Sequence, residues 1–260
     1  MYQPINAQNR ILQQFPPAAL ARIRPYLSRI RLRRHAVLQE ADETAHRVTF
    51  IERGLVAVLA RTRADGEVGV GIVGRAGLVG VPALLGTEHA PYRCVVEVDG
   101  DALQIGAAQI RNIMDDAATR QPLMNYVQSQ LVQNTHTALC NVRHDLVQRL
   151  ARWLLLAHDR LDCGVVPLTH ALLSTMLGVR RAGVTAALTH LEDIGAIAKS
   201  RGIITVLDRQ LLERHACECY RVIAGEYARH LEVPLIGEAG RARHRTDLVP
   251  SFEPLDYTGA

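Results

Sequence analysis

The chain has 260 residues, 48% of them hydrophobic, and a formal charge of +4. That length exceeds the usual single domain, so it favours two domains or one large domain with appendages, with ample apolar content for a core. Glycine-rich phosphate loops, H-E-x-x-H and G-x-S-x-G are all absent, which leaves an enzyme little to stand on. Lys199 is the sole lysine, so the cations are almost all arginines, whose fixed fork of donors suits phosphates and guanine edges. The five cysteines, Cys94, Cys140, Cys163, Cys217 and Cys219, are odd in number and form no C-x-x-C pair, which argues against a disulfide framework and for a reducing compartment. With no run of about 18 apolar residues and no signal-peptide profile, the expectation is a cytoplasmic protein with no membrane partner.

Short helical signals occupy the first twenty-eight residues. From Ser28 to Ala108 the pattern turns to alternation, β-branched residues and spaced glycines. "RVTFIERGLVAVLA", "EVGVGIV", "YRCVVEV" and "DALQI" read as short strands of a sandwich or barrel. A helical period follows, with Leu123, Val127, Leu131, Thr135, Leu139, Val142 and Leu146 recurring every three or four residues and Pro122 placed in a first turn. From Pro122 to Asn141 this is a rod of roughly 30 Å whose stripe needs a partner. "DLVQRLARWLLLAHDRL" is a second helix, with Leu146, Leu150, Trp153, Leu154 and Leu161 on one side and Trp153 in the core. After it comes a two-helix block, then "AIAKSRGIITVL" as two short strands turning at Ser200 to Gly202. A last helix spans Arg209 to Leu231. Beyond Val233 the sequence has no period and reads as a disordered tail.

In the two-helix block, Thr169 is the N-cap of a helix burying Leu172, Leu173, Met176 and Leu177, with Ser174 small where a second helix crosses. Gly178 makes the turn. Val179, Val184, Ala187, Leu188 and Leu191 form the inner face of the second helix, which ends at Ile194 with Gly195 in the left-handed position. This is the helix-turn-helix pattern. Its geometry puts the start of the second helix in the major groove, so Arg180 and Arg181 lie where base edges and phosphates are met. Thr185 is the expected base contact, and Thr189 and His190 the expected phosphate contacts. Gly183 costs about 1 kcal/mol of helix stability relative to alanine, and in this reading lets backbone approach a phosphate. Lys199 and Arg201 stand on the wing beside the groove, with Gly202 permitting its turn.

This order of parts resembles the cyclic-AMP receptor protein and fumarate-nitrate regulator (Crp/Fnr) family of bacterial transcription factors. The resemblance runs from about Ala7 to Tyr220 and is most specific in "LTHALLSTMLGVRRAGVTAALTHLEDIGAIAKSRGIITVLD". It implies an α+β chain: a cyclic-nucleotide-binding-like jelly roll over 1–120, a dimerisation helix over 121–143 and a winged helix-turn-helix domain over 144–232, with 233–260 left as tail. It further implies a homodimer on an inverted-repeat operator in double-stranded DNA, RNA polymerase as a further partner, and Arg181 as the recognition arginine. The family usually has Ser or Thr just before that arginine; here Arg180 stands there. Rival readings are a sensor or scaffold whose winged helix binds protein, and a regulator responsive to cyclic nucleotides.

Members that bind cyclic AMP carry Gly-Glu to grip the ribose and Arg followed by Ser or Thr for the phosphate. This chain has Gly80 followed by Val81, and Arg93 followed by Cys94, so a carboxylate and a hydroxyl are both missing. A sugar hydroxyl against valine would stay unpaired at about 1 to 3 kcal/mol, so an unknown small-molecule effector, or none, is expected rather than cyclic AMP, and no cofactor is expected. The family's iron-sulfur members use N-terminal cysteines, and none precedes Cys94. His136, Cys140 and His144 repeat at i, i+4, i+8 on the long helix. Three on one straight helix cannot all reach one ion, but two copies of the helix could complete a site or bring Cys140 against its twin. The plainer alternative is thiol and polar filling of a helix interface. On a continuous last helix Cys217 and Cys219 point about 200° apart, while His215 and Cys219 share a face; a redox role is the functional alternative to buried packing.

Overall fold

Alternating side chains give the N-terminal half two buried surfaces, and two long antiparallel strands carry both. In a computed structural model, which describes residues 7–62, 66–87, 89–161 and 165–231, the sheet comprises β1 (Ser28–Leu32), β2 (Val37–Gln39), β3 (Arg47–Thr62), β4 (Gly66–Val73), β5 (Leu78–Val79) and β6 (Arg93–Gly106). The order is β1-β6-β3-β4, with β2 on β6 and β5 on β3. "YRCVVEV" and "DALQI", expected as separate strands, run on as the single strand β6. The reason is a bulge: the pairing of β3 with β6 slips between Ile51 and Val56, Gly54 takes a φ of +99°, and a Cβ on Gly100 would lie 1.9 Å from the Arg53 carbonyl. Glycine lets the two chains cross there and bend together without leaving the sheet.

One apolar cluster, including Leu32, Ile51, Val56, Val58, Cys94 and Val96, lies on one side of the bent strands. The larger core takes Val48, Phe50, Leu55 and Ala57 from the other side. Against it lie α1 (Arg10–Gln13), α2 (Pro17–Ile23), α3 (Val81–Leu85), α4 (Ala107–Arg111) and the long α5 (Ala117–Arg143). The sequence placed the long helix at 121–143; it begins four residues earlier because the Asp116 carboxylate accepts from the amides of Ala118 and Thr119. Pro122 therefore lies inside the helix rather than in its first turn, leaving the Ala118 carbonyl without its usual donor.

The C-terminal half is α6 (Leu146–Leu161), β7 (Val165–Val166), α7 (His170–Leu177), α8 (Arg181–Asp193), β8 (Ile197–Ser200), β9 (Ile203–Val206), α9 (Arg209–His215) and α10 (Cys219–Leu231). Strand β7, not anticipated from the sequence, adds to the wing to give a sheet ordered β7-β9-β8. Trp153 is buried as expected. Arg209 ties this half together: its guanidinium pairs with Asp159 at 2.8 Å and Glu213 at 2.9 Å, and the Tyr220 hydroxyl donates to Asp159 at 2.9 Å. The last helix is not continuous. It breaks at Ala216, whose ψ of 152° is extended, and α10 then packs along α5. Residues 233–260, expected to form a disordered tail, lie outside the described residues, as does Cys163. No helix among the described residues is long and apolar enough to cross a membrane.

Glu97 is a buried carboxyl on β6 whose pKa is pushed up to about 7 by burial, with Arg34 pulling weakly the other way. The folded protein holds this proton more tightly than the unfolded chain does, so stability is lost as pH rises from the ordinary glutamate range through 7. Glu97→Gln should therefore raise the melting temperature at pH 8, by on the order of 1 kcal/mol of stability, and leave it nearly unchanged at pH 5. Thermal unfolding of both proteins across that range checks this.

Candidate nucleic-acid interface

Thr169 caps α7: its hydroxyl accepts from the Leu172 amide at 3.2 Å, which gives Thr169 a structural task. Leu172, Leu173, Met176 and Leu177 are buried, and Gly178 ends the helix at φ +63°. The Ser174 hydroxyl donates to the Val179 carbonyl and Arg149 to the Leu177 carbonyl, two ties that hold the corner. Arg180 is exposed at the N-cap of α8 and makes no side-chain cap bond. The helix buries Val184, Ala187, Leu188 and Leu191 and ends before Gly195 at φ +81°.

Arg181, Ala182, Thr185, Ala186, Thr189 and His190 of α8 are exposed. Ala182 and Ala186 were missed in the sequence; helical spacing from Thr185 and Thr189 places them on the same face, but alanine carries no chemical flag. The Thr185 hydroxyl donates to the Arg181 carbonyl at 3.0 Å and lies 3.1 Å from the His170 ring. One expected contact is corrected. Gly183 faces inward, since a Cβ there would meet Leu146 at 3.1 Å, so its role is a close crossing of α8 and α6 rather than approach to a phosphate. His190 stacks edge-to-face with His215 at 6.1 Å between ring centres, on the side of α8 toward α9.

On the wing, Arg201 and Gly202 form an exposed turn, with Gly202 at φ +73°. Lys199 is not the free phosphate contact expected of it. Its ammonium pairs with Glu192 at 2.9 Å and donates to Thr189 at 2.9 Å, and its amide donates to Glu192 at 2.8 Å. Lys199 thus fastens the wing to α8. In turn the Lys199 hydrogen bonds hold the Glu192 carboxyl below its ordinary range.

In the β domain, Gly80 begins α3 at φ +106°, and a Cβ there would lie 2.3 Å from the Arg47 carbonyl. Val81 and Cys94 are buried, and burial raises the Cys94 thiol to about 12. Arg93 pairs with Glu40 at 2.9 Å and Glu67 at 3.3 Å. The cation that would meet an anionic ligand is already neutralised by two carboxylates. A cleft of about 660 Å³ lies between the β3–β4 hairpin and the helix-turn-helix corner, lined by residues including Glu67, Val68, Ser174, Gly178 and Arg180.

His136, Cys140 and His144 do not act as a set. Cys140 turns inward from α5 and is fully buried in a single chain, so it cannot face its twin. It meets Cys217, with sulfurs 3.1 Å apart, and both Cys219 and His144 lie close by; His136 is outside the group. The break at Ala216 is what the helical-wheel argument lacked: with Cys217 before α10 and Cys219 at its start, the two thiols converge instead of pointing apart.

A β domain, a long helix and a winged helix-turn-helix together define the class of two-domain transcription regulators. Residues 29–117 match the cyclic nucleotide-binding domain and 148–215 the Crp-like helix-turn-helix domain, more than half of the chain in all. The chain belongs to the Crp/Fnr family, whose members are transcription regulators rather than enzymes. It is similar in fold to FixK2 from Bradyrhizobium japonicum (18% identity, 74% of this chain and 98% of that one, TM-score 0.65). It is likewise similar to the CRP-family regulator TTHB099 from Thermus thermophilus (21%, 72% and 96%, 0.61). A third similar fold is the c-di-GMP responsive global regulator CLP of Xanthomonas campestris (15%, 74% and 99%, 0.59). No curated protein matches the sequence.

Because Arg93 separates two carboxylates, its removal leaves Glu40 and Glu67 facing each other. Arg93→Ala should lower stability by about 1 kcal/mol, and adding Glu40→Gln with Glu67→Gln should recover most of that loss in denaturant titrations at low salt.

Proposed function

We propose that the protein is a homodimeric, sequence-specific DNA-binding regulator that reads an inverted-repeat operator with α8. The observation that carries this reading is the division of α8: Val184, Ala187, Leu188 and Leu191 are buried, while Arg181, Ala182, Thr185, Ala186 and Thr189 stand exposed beside the wing. Arg181 is the base reader, and Arg180 and Arg201 flank it as phosphate contacts. Lys199 acts indirectly, by holding the wing. Dimerisation through α5 is supported by its far side, where Leu131, Leu139 and Val142 are exposed on a helix otherwise anchored to its own chain. The effector is not a cyclic nucleotide in this reading, because Arg93 is spent on Glu40 and Glu67.

Arg181→Ala should cost about 1 to 3 kcal/mol on the preferred operator and relax the choice of base at one position per half-site, whereas Arg201→Ala should weaken all duplexes alike and flatten the salt dependence by about one unit. Titrations against single-base operator variants check both, and an unchanged base preference in Arg181→Ala would remove it from the reading role. A winged helix that binds protein would give no salt-steep DNA affinity at all.

Two copies of α8 related by a two-fold axis require half-sites about one DNA turn apart. Leu131→Asp should split the dimer in sedimentation at micromolar concentration and weaken operator binding with it, while leaving each chain folded.

A further inference from the structure

At the C-terminal end of α5, four side chains from two distant parts of the sequence present donor atoms to one point. Cys140 lies in the last turn of α5 and His144 is its C-cap; Cys217 lies in the break before α10 and Cys219 at its start. Their sulfur and ring-nitrogen atoms all lie within 4.8 Å of one another. Cys140 and Cys217 sulfurs are 3.1 Å apart, and the Cys219 sulfur is 3.9 Å from Nδ1 of His144. Around zinc, bonds of about 2.3 Å to sulfur in a tetrahedron set sulfurs about 3.8 Å apart, so the observed spacings need only small adjustments.

Two features outside the four donors point the same way. Nε2 of His144, the nitrogen turned away from the sulfurs, faces the Glu218 carboxylate at 3.6 Å, the arrangement that fixes the tautomer of a ligating histidine and strengthens its donor nitrogen. On the other flank Arg152 is buried, and among the described residues no carboxylate pairs with it; its guanidinium makes one long hydrogen bond, 3.4 Å to the Thr137 hydroxyl, and its Nε has no partner. A buried cation without a counter-charge is costly, and three thiolates with one neutral histidine around a divalent ion carry a net charge of −1.

We propose that Cys140, His144, Cys217 and Cys219 form a tetrahedral Cys3His site for zinc or a similar thiophilic divalent ion, clamping the end of α5 to the start of α10. Binding exchanges the thiol protons for the ion and leaves the oxidation state of every sulfur unchanged. The site stands at His144 and Asp145, the two residues between α5 and α6, where the long helix hands over to the DNA-binding half. It does not rest on the DNA-reading role of α8, and its test does not use DNA.

The full chain, stripped of metal under reducing conditions, is titrated with zinc against a chromophoric chelator and with cobalt as a spectroscopic probe. Expected are one ion per chain, an intense thiolate-to-cobalt charge-transfer band with tetrahedral d–d bands, and a melting temperature raised by zinc. Cys219→Ser should weaken binding at least about a hundredfold and bleach most of the band. Glu218→Gln, an exposed change, should weaken binding about tenfold while leaving the fold intact, and His144→Gln should shift the d–d bands while keeping sulfur charge transfer. Cys94→Ala, in the other domain, should bind as the parent does. No stoichiometric ion under reducing conditions, binding unmoved by Cys219→Ser, His144→Gln and Glu218→Gln, or isolation of the reduced-buffer protein with Cys140 and Cys217 joined as a disulfide would each overturn the proposal.

Discussion

The hydrogen bond from Arg160 to Gln133, 2.6 Å long and buried, is the contact on which the joining of the two halves depends. Gln133 sits mid-way along α5 and also donates to the Ile72 carbonyl of β4 at 3.4 Å. Arg160 belongs to α6, donates to the Leu156 carbonyl at 3.0 Å and lies 4.7 Å over the Tyr227 ring of α10. One amide and one guanidinium thus connect the sheet, the long helix and both flanking helices of the DNA-binding half. A charge-assisted bond of this kind is worth about 1.5 to 3 kcal/mol, and losing either partner would leave a buried polar group unpaired, so the register of the two halves is sharply defined.

Apart from Pro122, Leu123 and Tyr126 near its start, α5 is built inside out. Its buried side includes Thr119, Ser129, Gln133, Thr137 and Cys140, and its exposed side Leu131, Leu139 and Val142. Ser129 and Thr137 hydroxyls donate back to the carbonyls four residues earlier, so these buried polar groups are satisfied within the helix. A helix whose own chain takes its polar side has an apolar side left for something else, and a second copy of the same stripe is the self-complementary solution a two-fold axis provides. In the proposed dimer the two roles would occupy different faces, so pairing of two copies and domain docking would not compete for side chains.

Where chemistry is local, the sequence was readable. Thr169, Gly178 and Gly195 mark the ends of α7 and α8 by caps and left-handed glycines, and the burial of Leu172, Leu173, Val184, Ala187 and Leu188 follows from spacing alone. The stripe of α5 was legible only in part: Leu131, Leu139 and Val142 are exposed, but Leu123 lies in the chain's own core and Val127 packs against it, and the start of the helix belongs to Asp116. What periodicity could not carry was pairing across distance: Gln133 with Arg160, Glu40 and Glu67 with Arg93, Lys199 with Glu192. Each turns an apparently free polar residue into a fastened one. The thiol cluster is the sharpest case, since Cys140 and Cys217 are separated by 77 positions and the break at Ala216 that brings Cys219 to them has neither Gly nor Pro to announce it.

These contacts also limit how a signal can travel. Lys199 fastens the wing to α8, and Arg209 fastens α6, α9 and α10 to one another within the C-terminal half. That half joins the β domain and α5 through a shared apolar core, with α10 packed along α5 and α6 and α7 against β3 and β4; among these links are Gln133 with Arg160 and Met176 of α7, which lies so close to β4 that a Cβ on Gly69 would come within 2.7 Å of the Met176 backbone. An effector shifts an equilibrium only through its differential affinity for the two states. A ligand of the β domain therefore reorients α8 only if it favours a state in which contacts such as Met176 on β4 or Arg160 on Gln133 are exchanged. The second exchange carries the larger penalty, because both groups are buried. Strand β4 holds Gly69 against Met176 and, through Ile72, touches Gln133, so a displacement of this one strand acts on both links together.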